Sequence, residues 1–222
     1  LKHFNGEGLS GNNRCFRIIK NSHNLNSISL DPINHYDKID YTSNLEFQIL
    51  KSFIESIGEN NVIDLGLVTT PTIWIAVKKH KTAGGIMISA SHNDEKWNAL
   101  KLLNSNGEFL HPEEVQKVIK EKKRTQSNKE KPGNLSSYAN ALDDHINLIL
   151  SQNFINKNNI ASKSIAVAVD GINSVGGVAI PKFLESLGIK KIKKINCNPD
   201  GNFNHNPEPL PENITDLCSE VK

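Results

Sequence analysis

No window of the 222-residue chain is long and apolar enough to span a bilayer, and its first residues carry no leader-peptide pattern. An excess of charge is missing too. The 26 basic residues stand against 24 acidic ones, and a formal +2 lays down no footprint for nucleic acid. Cysteine is scarce: Cys15, Cys197 and Cys218 are scattered, odd in number and at no metal-ligand spacing, which suits a reducing compartment. Without a leader, the glycosylation sequons at Asn134 and Asn213 are chance matches. A cytoplasmic protein that meets neither membrane nor nucleic acid is expected. Its length allows one or two domains with a proper core.

What is present is an orderly α/β pattern. Residues 15–20 read as a strand, and the polar run 23–40 shows little periodicity. Ser43-x-x-Glu46 forms a capping box for a helix on Leu45, Ile49, Leu50, Phe53, Ile54 and Ile57, which Gly58 stops. A short strand at 62–65 follows. Thr70 before Pro71 predicts an N-cap with proline at the first helical position, and Ile73, Trp74 and Val77 predict the buried face of that helix. Residues 85–89 and 99–103 read as strands joined by the polar loop Ser89-Ala90-Ser91-His92-Asn93, with a turn at 104–107. A polar loop held by a strand at each end can aim a reactive side chain. Ser91 is the candidate nucleophile, and a serine hydroxyl needs a neighbouring base or cation, for which His92 and Lys101 are nearest. Further on, a helix is expected at 112–123 on Val115, Val118 and Ile119, a solvated loop at 122–133, and a helix at 139–150. Residues 163–170 read as a buried parallel strand, 171–177 as a tight glycine turn, 178–187 as a helix ended by Gly188, and 189–197 as a second strand.

Ser89-Ala90-Ser91-His92-Asn93 resembles the Thr-Ala-Ser-His-Asn-Pro loop of the α-D-phosphohexomutases: phosphoglucomutase, phosphomannomutase and phosphoglucosamine mutase. Asn98-Ala99-Leu100-Lys101 is similar to the Asn-Gly-x-Lys segment downstream of it, and Asp64 to Thr72 to the segment before it. Asp170-Gly-x-Asn-x-x-Gly-Gly and Pro199-Asp-Gly-x-Phe, with Pro207-Glu-Pro209, resemble the second domain of the same family. Two positions depart from the loop pattern: Ser89 stands for threonine, and Asp94, an added carboxylate, for proline.

The resemblance implies layered α/β/α domains with mixed sheets. Domain I would run over 43–155 and domain II over 156–222, after an N-terminal segment, 1–42, without the family's arginine loop. It implies a phosphoserine at Ser91, with Lys101 and His92 as catalytic neighbours and Asn93 in the phosphate loop. Mg2+ would be bound at Ser91 through its phosphate. A sugar 1,6-bisphosphate would act as activator and intermediate, with a hexose or hexosamine phosphate as substrate. The family's Mg2+-holding aspartate loop and its domains III and IV do not occur in the chain. A mutase half that is inactive alone is therefore the alternative expectation. Trp97-Asn-Ala-Leu-Lys-Leu-Leu resembles phosphoglucosamine mutases most. A Ser91–His92 hydrolase is disfavoured, because adjacent residues on an extended loop diverge and no nucleophile elbow surrounds Ser91. Asp200, His205 and Glu208 form a candidate metal set that the resemblance reassigns to a structural turn.

Overall fold

Alternating apolar stretches and helical repeats resolve, in a computed structural model, into an α/β fold described over residues 16–20, 61–89, 99–121 and 135–221. The expected helix at 43–58, the loop carrying Ser91, and the loop at 122–133 lie outside the described residues. Strands β1 (Phe16–Lys20), β2 (Asn61–Gly66), β3 (Gly84–Ser89), β4 (Ala99–Leu103) and β5 (Leu135–Ser137) form one mixed sheet in the order β4-β3-β1-β2-β5. β1 is antiparallel to both of its neighbours, and β5 is parallel to β2.

Helix α1 (Thr70–His80) lies over this sheet and builds the core. Ile73 and Val77 are fully buried, and they pack with Ile63, Leu65, Val68, Met87 and Leu103. Burying such side chains is worth about 1.5–3 kcal/mol each, so this cluster dominates the fold's stability. Gly85 is the concession to close packing: a Cβ there would meet Val77 Cγ2 at 2.9 Å. Beyond β4, the turn closes at Gly107 (φ +74°), where a Cβ would lie 2.5 Å from the Trp74 carbonyl oxygen. Only glycine combines that left-handed φ with that approach. Trp74 itself is 37% exposed and meets Phe109 edge-on at 5.5 Å, which corrects its expected place in the core. The turn backbone at Gly107 and the Phe109 ring approach this part of α1 without burying it.

Helix α2 (Pro112–Glu121) starts where expected, but Val118 is 48% exposed rather than inward. Helix α3 (Ala141–Leu150) buries Ala141, Leu142 and Ile146, and packs between α1 and a later helix. Lys79 of α1 bonds Asp144 of α3 at 2.5 Å, and Tyr138 donates to the same carboxylate at 2.8 Å. A short helix α4 (Lys157–Ser162), which no periodicity announces, follows and is capped by the Asn156 side chain.

The second unit is β6 (Ala166–Asp170), α5 (Gly176–Ser186) and β7 (Lys191–Ile195), with the two strands parallel. The parallel crossover agrees with expectation, but β6 is not a strand buried on both faces, since Ala166 is exposed and only Val169 is buried. Gly177 lets α5 approach β7's exit closely: a Cβ there would meet Cys197 Cα at 2.6 Å. Helix α6 (Thr215–Glu220) packs against β6 and β7.

Candidate active site

Several elements bring their polar ends to one edge of the first sheet. Because β2 and β3 both run against β1, they are parallel to each other and end on the same side, at Gly66 and Ser89. Helix α1 starts from that side and β4 returns from it at Ala99. β1 begins there too, with Phe16 opposite both Gly66 and Met87. In α/β sheets, ligands sit outside the carboxyl ends of strands, and this edge is such a place.

Local chemistry fixes each strand end. Asp64, buried at the end of β2, accepts the Gly66 N–H at 3.0 Å, and Gly66 turns the chain through a φ of +65°. The helix then begins one residue earlier than its sequence implies: Thr69, not Thr70, is the N-cap residue. Its hydroxyl makes no capping bond and instead lies 2.8 Å from Thr72 Oγ1. Thr72 is fully buried, and its hydroxyl is also 2.9 Å from Nδ1 of His145 on α3. Burial depresses the affinity of His145 for a proton below that of an ordinary histidine.

Lys101 is placed by strand register. Ser89 faces Ala99 and Met87 faces Lys101, so Lys101 shares a sheet face with Met87, whose sulfur is 2.6 Å from Thr70 Oγ1. That is the face on which α1 lies. The edge therefore offers a half-buried lysine and the part-exposed hydroxyls of Thr69 and Thr70. Ser91, His92 and Asn93 lie outside the described residues. The structure places the strand ends between which they run. The Thr69–Thr72–His145 chain is a feature that sequence reasoning missed, since its members lie on two helices.

A second polar cluster sits at the exit of β6. Asp170 accepts from Ile172 N–H at 2.9 Å and from Asn196 Nδ2 at 3.2 Å, and it pairs with His205 Nε2 at 2.9 Å. His205 Nδ1 faces the Asn206 carbonyl at 2.9 Å. Burial alone would lower the proton affinity of His205. The bonds to Asp170 and Asn206, with the charges of Asp170 and Asp216, outweigh it, and the pKa is raised. Asn173 binds the same loop twice, donating to the Asn202 carbonyl at 2.8 Å and accepting the Asn198 N–H at 3.2 Å. The candidate metal set does not converge. Asp200 bonds Asn198 and Asn202 while His205 turns to Asp170, and no three His, Cys, Asp or Glu side chains among the described residues are placed to hold an ion.

Comparison with known proteins gives this edge a context. Residues 42–129 match the family model for phosphoglucomutase/phosphomannomutase α/β/α domain I, and residues 143–222 match that for domain II. A phosphomannomutase/phosphoglucomutase of Pseudomonas putida is 31% identical over 182 residues, covering 79% of this chain and 36% of the relative. A phosphoglucosamine mutase of Methanococcus aeolicus is 33% identical over 172 residues, covering 74% of this chain and again 36% of the relative. The chain thus spans about a third of the length of the curated relatives it matches. Among solved structures, a phosphoglucomutase/phosphomannomutase family protein of Burkholderia thailandensis superposes with a TM-score of 0.58 at 22% identity, over 72% of this chain and 35% of that one. That likeness speaks for the fold.

Proposed function

Because the chain belongs to the phosphoglucomutase/phosphomannomutase family, we propose that it carries the nucleophile of a phosphohexose mutase. The enzyme would move phosphate between the 1- and 6-positions of a hexose or hexosamine phosphate through a phosphoserine at Ser91. One observation supports this most. The β3–β4 register puts Lys101 on the α1 face at the sheet edge from which the Ser89–Ala99 loop emerges. A cation held there by two paired strands is what a reacting phosphoryl group on that loop requires.

In the proposed step, the bond between Ser91 Oγ and phosphorus breaks as a bond from a sugar hydroxyl oxygen forms. The hydroxyl loses its proton and Ser91 Oγ gains one, so the proton count is unchanged. Lys101 steadies the phosphoryl oxygens, hands its proton to Ser91 Oγ, and as the resulting neutral amine takes up the proton that the sugar hydroxyl loses. His92 and Asn93 complete the loop. Mg2+ and a sugar 1,6-bisphosphate go with this reading, but the described residues do not by themselves fit a divalent cation. The ligand that this chain would offer it is the Ser91 phosphate. The phosphoglucosamine mutases among the relatives, with the Trp97–Leu103 segment, favour a hexosamine phosphate.

Incubation with glucose 1,6-bisphosphate followed by intact-mass and peptide spectrometry tests the reading, and phosphate should appear on Ser91. Phosphate on Ser89 instead, or normal turnover in a Ser91→Ala enzyme, would overturn it. A second reading is supported by the chain's span of 36% of its relatives. On that reading the 222 residues alone interconvert no sugar phosphates, because positioning supplies most of the catalysis in phosphoryl transfer. Turnover by the purified chain with Mg2+ and a bisphosphate primer, lost in Ser91→Ala, would refute it.

A further inference from the structure

The hydroxyl of Thr72 is fully buried between Thr69 Oγ1 at 2.8 Å and His145 Nδ1 at 2.9 Å. A hydroxyl owns one proton, and a buried one that fails to donate is costly, so Thr72 donates to one neighbour and accepts from the other. The chain therefore has a direction. With Nδ1 bare, Thr72 donates to His145 and Thr69 donates to Thr72, so Thr69 offers the sheet edge only lone pairs. With Nδ1 protonated, every bond reverses: His145 donates to Thr72, Thr72 to Thr69, and the Thr69 proton turns toward the edge. Thr69 is free to do either, since it makes no side-chain capping bond to α1.

We infer that His145 is a positioning residue that sets, through Thr72, whether the Thr69 hydroxyl accepts or donates at the edge where the phosphoryl group is handled. A phosphoryl dianion there accepts hydrogen bonds only, so it favours the Nδ1–H state of His145. The inference rests on the reading that places phosphoserine in the adjoining loop. Burial lowers the proton affinity of His145, and its neighbours Asp143 and Asp144 are paired with Lys182 at 2.6 Å and Lys79 at 2.5 Å.

The test is long-range proton–nitrogen NMR of His145 in the 15N-labelled protein. Spectra are recorded alone, with inorganic phosphate, and after incubation with glucose 1,6-bisphosphate. The expected result is a move of Nδ1 toward the protonated form and an upward shift of the His145 titration midpoint with either probe. Thr72→Val should abolish the shift, and Thr72→Ser, which keeps the hydroxyl, should retain it and control for packing. Should inorganic phosphate move His145 while mass spectrometry finds Ser91 unphosphorylated, the relay stands and the phosphoserine reading falls. If Ser91 is phosphorylated and His145 does not move, the relay is wrong. It is equally wrong if neither probe moves His145, or if the shift survives in Thr72→Val.

Discussion

The first sheet and the β6–α5–β7 unit share an α/β build but are held together by different forces. Around α1, Ile63, Leu65, Ile73, Val77, Met87 and Leu103 form a continuous apolar core. In the second unit, Val169, Leu187 and Ile189 are buried and Ala179 of α5 joins the first core, while Lys191, Lys193 and Lys194 of β7 are exposed. There a polar lattice takes over: Asp170, Asn173, Asn196 and His205 tie the β6 exit to the loop after β7. Asn173 and Asn196 do so from left-handed backbone, at φ of +52° and +48°. Apolar burial is non-directional and supplies bulk stability. Hydrogen bonds are worth less on balance but specify a loop's shape.

If the chemistry belongs to the first sheet, activity should separate the two regions most sharply. In the full-length enzyme, Lys101→Met should lower kcat on the order of 10²–10⁴-fold, while His205→Gln leaves kcat within a few-fold. Comparable losses from both would erase the distinction. Stability comes next. Ile73→Ala removes a fully buried side chain and should cost about 2–5 kcal/mol in urea unfolding. Val169→Ala should cost roughly 1–2 kcal/mol for the two methyl groups lost, and equal values would mean that the second unit has a core after all.

Asn173→Ala should cost about 1–3 kcal/mol for the two bonds it breaks. Its effect should be local, with hydrogen exchange speeding up at Asn198 and Gly201 and the first sheet unchanged. The smallest effect is set by pH, and the two regions should bend in opposite directions. The raised proton affinity of His205 contributes stability fully below the ordinary value of 6.5, and that contribution is lost as pH rises through its folded pKa. The lowered affinity of His145 contributes stability above 6.5, which is lost as pH falls through its folded pKa. Exchange rates at β6–β7 and at α1–α3, followed across this range, should diverge, and His205→Gln should flatten only the first.

Much of the architecture was legible because period and punctuation agree with the fold. The strands around the Ser91 loop, the Pro71-led helix and the βαβ crossover all carry apolar patterns with proper stops. The three-residue strand β5 and the six-residue helices α4 and α6 were not, since three residues or one helical turn and a half give no period to read. Trp74 and Val118 were assigned inward on spacing alone, and what covers a helix face depends on a turn and a loop elsewhere. Lys101 was visible through Asn-x-x-Lys. His145 was not: it reaches Thr72 across 73 residues of sequence, and no local pattern encodes that.

The strand order β4-β3-β1-β2-β5 also bears on how the molecule assembles. Of the described strands β1 comes first, yet it fills the centre of the sheet, between two strands that are close neighbours in sequence. The local helix α1 and the β3–β4 hairpin can form early, but a gap must be kept for a distant segment whose loop-closure entropy is spent before its pairing returns anything. Insertion of β1 is then expected to be the slow, late event, to be checked by pulse-labelling hydrogen exchange at Ile18 and Ile19 against Ile73 and Val77. Removing residues 16–20 would not trim the sheet at its margin. It would divide the sheet in two and leave two adhesive edges facing each other, ready to capture a strand from another molecule.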